Sequence, residues 1–373
     1  RLYPTADQYS VQNCVSEFLN KNYKSAYLGG YLSKNPWQHG IFLLSYIFAL
    51  VFGEINVIAL EMVNVIACVF IFKALSEIIG LYKGSYSMQL LVLSCGVLFP
   101  VVLLYSYFIY GNIIGLAFGL LAIKYELIFL DNNKMHDGAL SSIFIFMAIL
   151  SKSNYQIYFI AMVICLVFNI INYYDNKKLS YVALLMLIFV LSYVLPTKFI
   201  ESKTKVKMED GISFYSYVAM GLQESDKAPG WYNGFNYDSY AACDNNTKKQ
   251  IEFSKKEIKK RINLFASDFE YTDEFFTKKI VSEWNNPTYQ AFWNIQDKYS
   301  EGFEPQLFIR EFLSLKSTYK VQKYLNIFDS IIKFGALLYV LYLIFNKNNE
   351  NLILPVTFVG GFLFLSFLSE AKA

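Results

Sequence analysis

The chain has 373 residues, of which 55% are hydrophobic, 18% aromatic and only 17% charged, with a mean hydropathy of +0.32. Soluble domains carry about a quarter charged residues, so the chain has too little charge to cover a water-facing surface of its own size, and a pair of soluble domains is excluded. The net charge of +3 is spread over loops and helix ends, and nothing in it argues for nucleic acid as a partner.

The chain opens at Arg1 on a polar segment with no export signal, so a transmembrane helix is expected to precede it. That segment, Tyr3-Pro4-Thr5-Ala6-Asp7-Gln8-Tyr9, leads into an amphipathic stretch marked by Val11, Val15, Phe18 and Leu19. A helix over 8–19 is expected, and Asp7 stands where an N-cap belongs. Next comes the apolar run from Ile41 to Phe52, between Pro36-Trp37 and Gly53-Glu54. At 1.5 Å per residue it falls well short of roughly 30 Å of hydrocarbon, so it is expected to lie in the interface or to re-enter rather than cross. Residues 55–77, 88–108, 111–129, 155–172, 179–200, 325–346 and 351–368 are long enough to cross, and 139–150 joins them if Ser151–Asn154 extends it. Eight spans are expected. In the first of them Glu61 and Asn64 share a helical face and are expected to satisfy each other or a neighbouring helix.

Lysine in short loops favours the cytoplasm. With 41–52 not crossing, Lys83, Lys134, Lys177, Lys178 and Lys347 fall on one side, which is then cytoplasmic. The opposite side receives 1–38, the turn at Tyr110-Gly111-Asn112, the turn at Ser151–Asn154 and the long polar region 201–324. In that region Ile251, Ile258, Ile262 and Phe265 mark one face of a lysine-rich helix. A second helix is expected over Asp273–Trp284, with Thr272 as N-cap and Asn285-Asn286-Pro287 as its end. The sequence therefore reads as an all-α integral membrane protein in four parts. Residues 1–54 form a first external loop with juxtamembrane helices, 55–200 a transmembrane bundle, 201–324 an external, mostly helical domain, and 325–373 the C-terminal transmembrane helices. Of the five cysteines, Cys14 and Cys243 lie in the two polar regions and can pair only if the fold brings them together. No metal-binding Cys/His spacing occurs, and the only histidines are His39 and His136.

An acid just outside the membrane, ahead of an interfacial helix, is where a base can meet a substrate arriving from lipid. Asp7 is that acid. Together with the juxtamembrane helices and the Pro36-Trp-Gln-His-Gly40 approach to the next apolar run, it resembles the external loop of the GT-C superfamily of polyprenyl-phosphate-sugar-dependent glycosyltransferases. The bacterial protein O-mannosyltransferase-like branch is the most similar. Phe108-Ile-Tyr-Gly-Asn-Ile-Ile-Gly115, Leu150-Ser-Lys-Ser-Asn154, Gly230-Trp-Tyr-Asn-Gly234, Trp284-Asn-Asn-Pro-Thr-Tyr289 and Glu370-Ala-Lys372 are similar to segments of that branch. Relatives often carry an acid where this chain has Asn112, which leaves that turn without a second carboxylate.

The resemblance implies a GT-C-like bundle with its site on the external side. It implies a polyprenyl-phosphate-linked sugar as donor, a membrane-lipid setting, and a glycan, lipid or protein hydroxyl as acceptor. Transfer needs a base for the acceptor proton and a cation for the leaving phosphate. Asp7 is the expected base, with inversion at the anomeric carbon. Lys152 is the expected phosphate cation, with Asn112 and Glu370 beside it at the donor. Gln38, Tyr110, Trp231, Tyr232 and Trp284 are expected to contact substrate. The resemblance implies no particular cofactor and leaves room for a divalent cation. Each of these residues also has a plainer reading: Asp7 as helix cap, Lys152 as a snorkelling lysine, and the aromatics as interfacial anchors. A transporter or flippase of lipid-linked saccharides is the rival class, although the internal repeats common in transporters are not found. A membrane-tethered interaction module built on 201–324 is a third.

Overall fold

The computed structural model describes residues 4, 6–53, 56–291, 315–346 and 352–368. Among these, the regular elements are helices, with no β-strand. The first loop holds α1 (Asp7–Leu19), the single turn α2 (Tyr31–Lys34) and α3 (His39–Phe52). The bundle follows as α4 (Asn56–Leu81), α5 (Tyr86–Leu98), the short α6 (Val101–Leu104), α7 (Asn112–Asn132), α8 (Met135–Ser151), α9 (Gln156–Asn172) and α10 (Asn176–Thr204). A polar domain then carries α11 (Phe214–Gly221), α12 (Phe235–Ala242), α13 (Thr247–Ser267) and α14 (Phe269–Trp284). The described chain closes with α15 (Leu315–Asn346) and α16 (Ile353–Leu363), the latter continued by a π-helical turn, Phe364–Leu368.

Among the described residues, five helices have the length and apolarity to cross a membrane: Asn56–Leu81, Asn112–Asn132, Ser153–Asn172, Asn176–Thr204 and Thr318–Phe345. The other three expected spans fall in shorter apolar helices, Tyr86–Leu98, Met135–Ser151 and Ile353–Phe367. The run 88–108 is not one helix, which corrects the sequence reading. The helix stops at Phe99, whose φ/ψ of −120°/75° is extended rather than helical, as expected of a residue preceding proline. Pro100 then opens the four-residue α6, and residues 105–111 form an irregular turn. Likewise α8 gains its length at the N-terminal end, from Met135. Lys152 after it is extended at φ −155°, ψ 119°.

The bundle helices alternate in direction, so their connections gather at two ends. At one end the backbone of Gly111 lies against Ser151, and that of Gly40 against Leu150. A Cβ on either glycine would stand within 2.3 Å of a carbonyl oxygen, so only glycine admits the approach. Tyr155 donates to the Asn112 carbonyl there at 2.5 Å, and Asn64 donates to the Ser106 and Phe108 carbonyls at 2.8 and 3.1 Å. Asn64 thus satisfies the irregular turn rather than Glu61 or a neighbouring helix. At the other end Asn133 donates to Asp175 at 2.6 Å, and Lys177 reaches the Asn133 carbonyl at 3.4 Å. Lys83, Lys134, Lys177 and Lys178 cluster in connections at this second end.

The bundle core is a continuous packing of α4, α7, α8, α9 and α10 around Ile71, Ile123, Ile145, Met162, Tyr181 and Leu185. A second cluster joins α1 to α3 through Val11, Val15, Phe18, Phe42 and Tyr46, and includes Tyr110. The first loop is thereby pinned to the glycine-lined end of the bundle.

Several local expectations are corrected. Asp7 does not cap α1: Ala6 holds the N-cap position with no side-chain hydrogen bond, and Asp7 is the first helical residue. The helix expected over 273–284 starts at Phe269, with Asp268 rather than Thr272 as cap, its carboxylate accepting from Tyr271 N–H. Thr272 instead lies within the helix and donates to backbone carbonyls. The buried face of α13 runs through Gln250, Ser254 and Phe265, while Ile262 is 54% exposed. Gln250 explains the shift, because it accepts from Ser213 N–H at 2.7 Å and donates to Asn236 O and Ser239 Oγ, a satisfied polar core. Cys14 and Cys243 are both free.

Candidate functional site

Asp7 sits at the start of α1 with its carboxylate turned to two phenols. Tyr31, the first residue of α2, donates to Oδ1 at 3.1 Å, and Tyr110, from the irregular turn, donates to Oδ2 at 3.1 Å. Tyr110 is buried, and its hydroxyl also accepts a hydrogen bond from the Gln38 amide. On the face of the same ring lies the Lys152 ammonium, 3.3 Å from the centroid, a cation–π contact. One tyrosine thus touches the carboxylate through its hydroxyl and the ammonium through its ring.

Local structure explains each placement. Gly111, at φ +81°, turns the chain from the irregular segment into α7, with its Cα against the Ser151 carbonyl. This brings Tyr110 beside Lys152, the residue after α8. Gln8, next to Asp7, is 3% exposed and accepts from Ile109 N–H at 2.9 Å, so α1 is bonded to the same turn. Gln38 ends the 3₁₀ turn Pro36–Gln38 that leads into α3. His39, following it, is buried between Thr197 Oγ1 at 2.9 Å and the Leu32 carbonyl at 3.0 Å, locking α3 to α10. Burial pushes the His39 pKa down to about 4, against smaller opposing effects from the Leu32 carbonyl and Glu201.

The electrostatics favour phenols that stay protonated. Burial raises the Tyr31 pKa above the usual phenol range, and the Asp7 charge raises it further. Tyr110 is raised by the same two causes in the same order. Both therefore remain hydroxyl donors to the carboxylate at neutral pH and above. Asp7 itself is exposed, so two of its lone pairs are oriented by the protein while the group stays open to a reactant. A carboxylate held in this way can take a proton from a hydroxyl, and the nearby ammonium can face an anion.

Of the residues expected from sequence, Asp7, Gln38, Tyr110 and Lys152 come together. Asn112 opens α7 two residues beyond Tyr110, and its Oδ1 is buried with no hydrogen-bond partner among the described residues. Glu370 lies outside the described residues. Trp231 is only 9% exposed, with its indole N–H donating to Ser282 of α14 at 2.7 Å and Lys227 over its ring at 4.8 Å. Its neighbour Tyr232 is 54% exposed. Trp284 donates to Ser366 at 2.9 Å and packs on Phe362, joining the polar domain to the end of α16. Trp231 and Trp284 are held within the polar domain and its seam with α16, by contacts other than those that build the Asp7 cluster. The polar domain does meet the first loop: Tyr237 donates to Asn35 at 3.0 Å, and Ile212 N–H donates to Lys34 O at 2.9 Å.

Tyr31 is the site residue that sequence reasoning passed over. Its signal is Gly29-Gly30 immediately before it, where any Cβ on Gly30 would stand 2.4 Å from the Ser25 carbonyl, so the tyrosine enters on a tightly folded turn. Among the described residues, no group of three or more His, Cys, Asp or Glu side chains assembles as a metal cage. Compared with protein-family models, curated proteins and solved structures, the chain matches none.

Proposed function

We propose that the protein is a GT-C-like membrane glycosyltransferase that moves a sugar from a polyprenyl phosphate to an acceptor hydroxyl on the extracytoplasmic side. The observation that carries this reading is the Asp7 carboxylate, held by two tyrosine hydroxyls, one of whose rings also seats the Lys152 ammonium. The cluster lies at the end of an apolar helical bundle opposite the one that gathers Lys83, Lys134, Lys177 and Lys178. Lysine bias makes the latter end cytoplasmic and the cluster external.

In the proposed reaction the acceptor oxygen attacks the anomeric carbon as its proton passes to Asp7. The bond between that carbon and the phosphate oxygen breaks, and the polyprenyl phosphate leaves with its new charge facing Lys152. A single displacement of this kind inverts the anomeric carbon. Tyr31 and Tyr110 orient the base, and Gln38 orients Tyr110.

The test uses purified protein in lipid discs with labelled polyprenyl-phosphate sugars and a panel of hydroxyl acceptors. Release of polyprenyl phosphate together with a new glycosidic bond is the expected result. In sealed vesicles, movement of intact donor across the bilayer without bond cleavage would replace this reading with that of a flippase.

A further inference from the structure

The polar domain carries a feature that sugar transfer does not use. Helix α13 holds seven basic and two acidic residues, an excess of positive charge larger than the +3 of the whole chain. The lysines come as three doublets, Lys248-Lys249, Lys255-Lys256 and Lys259-Lys260, and all six are exposed. At 100° per residue they fall within an arc of roughly 140°, and at 1.5 Å per residue the ladder is about 18 Å long with steps of about 10 and 6 Å. Glu252 is the one acid inside the arc. Lys249 is paired with the exposed Asp244 at 2.8 Å, an ion pair that costs little to exchange for another anion.

The opposite face of α13, through Gln250, Ser254 and Phe265, packs inward, and the helix contacts α11, α12 and α14. Two of those helices, α11 and α14, are the ones that meet the terminal turn of α16, through Phe214 on Phe364 and Phe276 on Phe367. The lysine ladder runs along the face of α13 that these contacts leave exposed. Two aromatic rings border the ladder: Tyr215 of α11, with the Lys255 ammonium 4.6 Å from its centroid and Phe214 against its edge, and Phe253 at the edge of the arc, stacked on Phe235. Each ring already has a partner, so what the ladder offers at regular intervals is charge rather than stacking.

We propose that α13 docks a linear, base-free phosphodiester polymer, whose repeated negative charges match the doublets. The inference stands apart from the catalytic reading, because binding is measured without turnover.

The experiment uses the full chain in discs of zwitterionic lipid and titrates synthetic poly(glycerol phosphate) at several salt concentrations. Micromolar or tighter binding is expected, weakening steeply with salt, because each phosphate engaged on a flexible strand contributes about −0.7 to the log–log slope. Replacing all six lysines with Gln, which keeps helix propensity, should reduce affinity at least tenfold and flatten the slope. Lys203, Lys205 and Lys207→Gln, also exposed but on the α10 side, should leave affinity within twofold. If the sextuple variant loses helicity, each doublet variant serves instead, with a twofold to fivefold loss expected. Absence of binding, or binding unchanged by the α13 substitutions, overturns the proposal. So does lysine-dependent binding to vesicles of phosphatidylglycerol and phosphatidylcholine in place of the polymer, which would make α13 a membrane-surface contact.

Discussion

Asp7→Asn separates a chemical role from a structural one, because the geometry sets different magnitudes for each. Asp7 makes no capping hydrogen bond to α1, so the roughly 1 kcal/mol attached to a lost cap does not enter. What changes is the pair of phenol contacts at 3.1 Å. Asparagine can accept from one tyrosine through its carbonyl and offer its amide to the other, so two charge-assisted bonds become two neutral ones. Bonds to charged groups contribute about 1.5–3 kcal/mol and neutral ones about 1. At an exposed carboxylate the low end applies, and a loss of about 1–2 kcal/mol in folding stability is expected. Removing a general base costs on the order of 10²–10⁴ in rate, or about 3–5 kcal/mol in the barrier. The assay is thermal melting in detergent beside initial rates of sugar transfer in lipid discs. Transfer at the parental rate by a folded Asp7→Asn protein refutes the assignment of the base. A melting point lowered by more than ten degrees would show that the carboxylate is mainly a structural anchor for the two tyrosines.

Four further outcomes follow from the same geometry. Lys152→Met keeps the stem beside Tyr110 but removes the charge, so kcat/KM for the lipid donor should fall about 10- to 100-fold, as for loss of a charge-assisted bond of about 1.5–3 kcal/mol; unchanged donor kinetics would return Lys152 to a snorkelling role. Gly111→Ala forces a Cβ to within 1.9 Å of the Ser151 carbonyl at φ +81°, so transfer should drop at least tenfold through displacement of Tyr110, and a normal rate would disconnect the turn from the site. His39 has a folded pKa of about 4 against about 6.5 unfolded, so its contribution is complete above pH 6.5 and is lost as pH falls toward 4, a total of roughly 3 kcal/mol; His39→Gln should flatten the melting profile between those limits, and an unaltered profile would contradict the assignment. Trp231→Ala empties a largely buried site and removes the indole donor to Ser282, so the polar domain should lose about 3 kcal/mol and become sensitive to limited proteolysis, whereas full stability with impaired transfer would place Trp231 at the substrate.

The apolar runs made most of the bundle legible, because a lipid-facing helix needs unbroken apolarity and little else. The failures lie where backbone chemistry or polar packing decides. Pro100 stands inside an apolar run, and hydropathy cannot register that the residue before it leaves the helical region. In α13 Phe265 is buried with Ile258 packed beside it, as expected, but Ile262 faces out and the buried row is led by Gln250, whose amide ties together α11, α12 and α13 through Ser213, Asn236 and Ser239. A period count scores glutamine as surface. Its burial depends on three partners up to 37 residues away, and no local window contains them.

The candidate site divides in the same way, and the division says which of its residues matter. Asp7 and Lys152 were legible from a local rule, that charge beside apolar runs must have a reason. Tyr31 was not, since tyrosine is common in this chain, with 30 copies, and a hydroxyl acquires meaning only from its partner; Tyr110 was expected through the resemblance as a substrate contact, not as the link between the two charges. Yet Asp7 and Lys152 come from opposite parts of the first half of the chain, and the side chain seen to touch both is Tyr110. Its hydroxyl is aimed by Gln38, its ring is buried, and its backbone is held by Gly111 against Ser151. Tyr110→Phe would keep the ring under Lys152 while deleting the bond to Asp7 and orphaning the Gln38 amide; Tyr110→Leu would remove both supports. A base that needs only its own carboxylate would treat the two substitutions alike. A site in which the proposed base and phosphate cation are positioned through one side chain would not, and because Tyr110 touches both Asp7 and Lys152, transfer rates of the two variants are expected to differ, with Tyr110→Leu the slower.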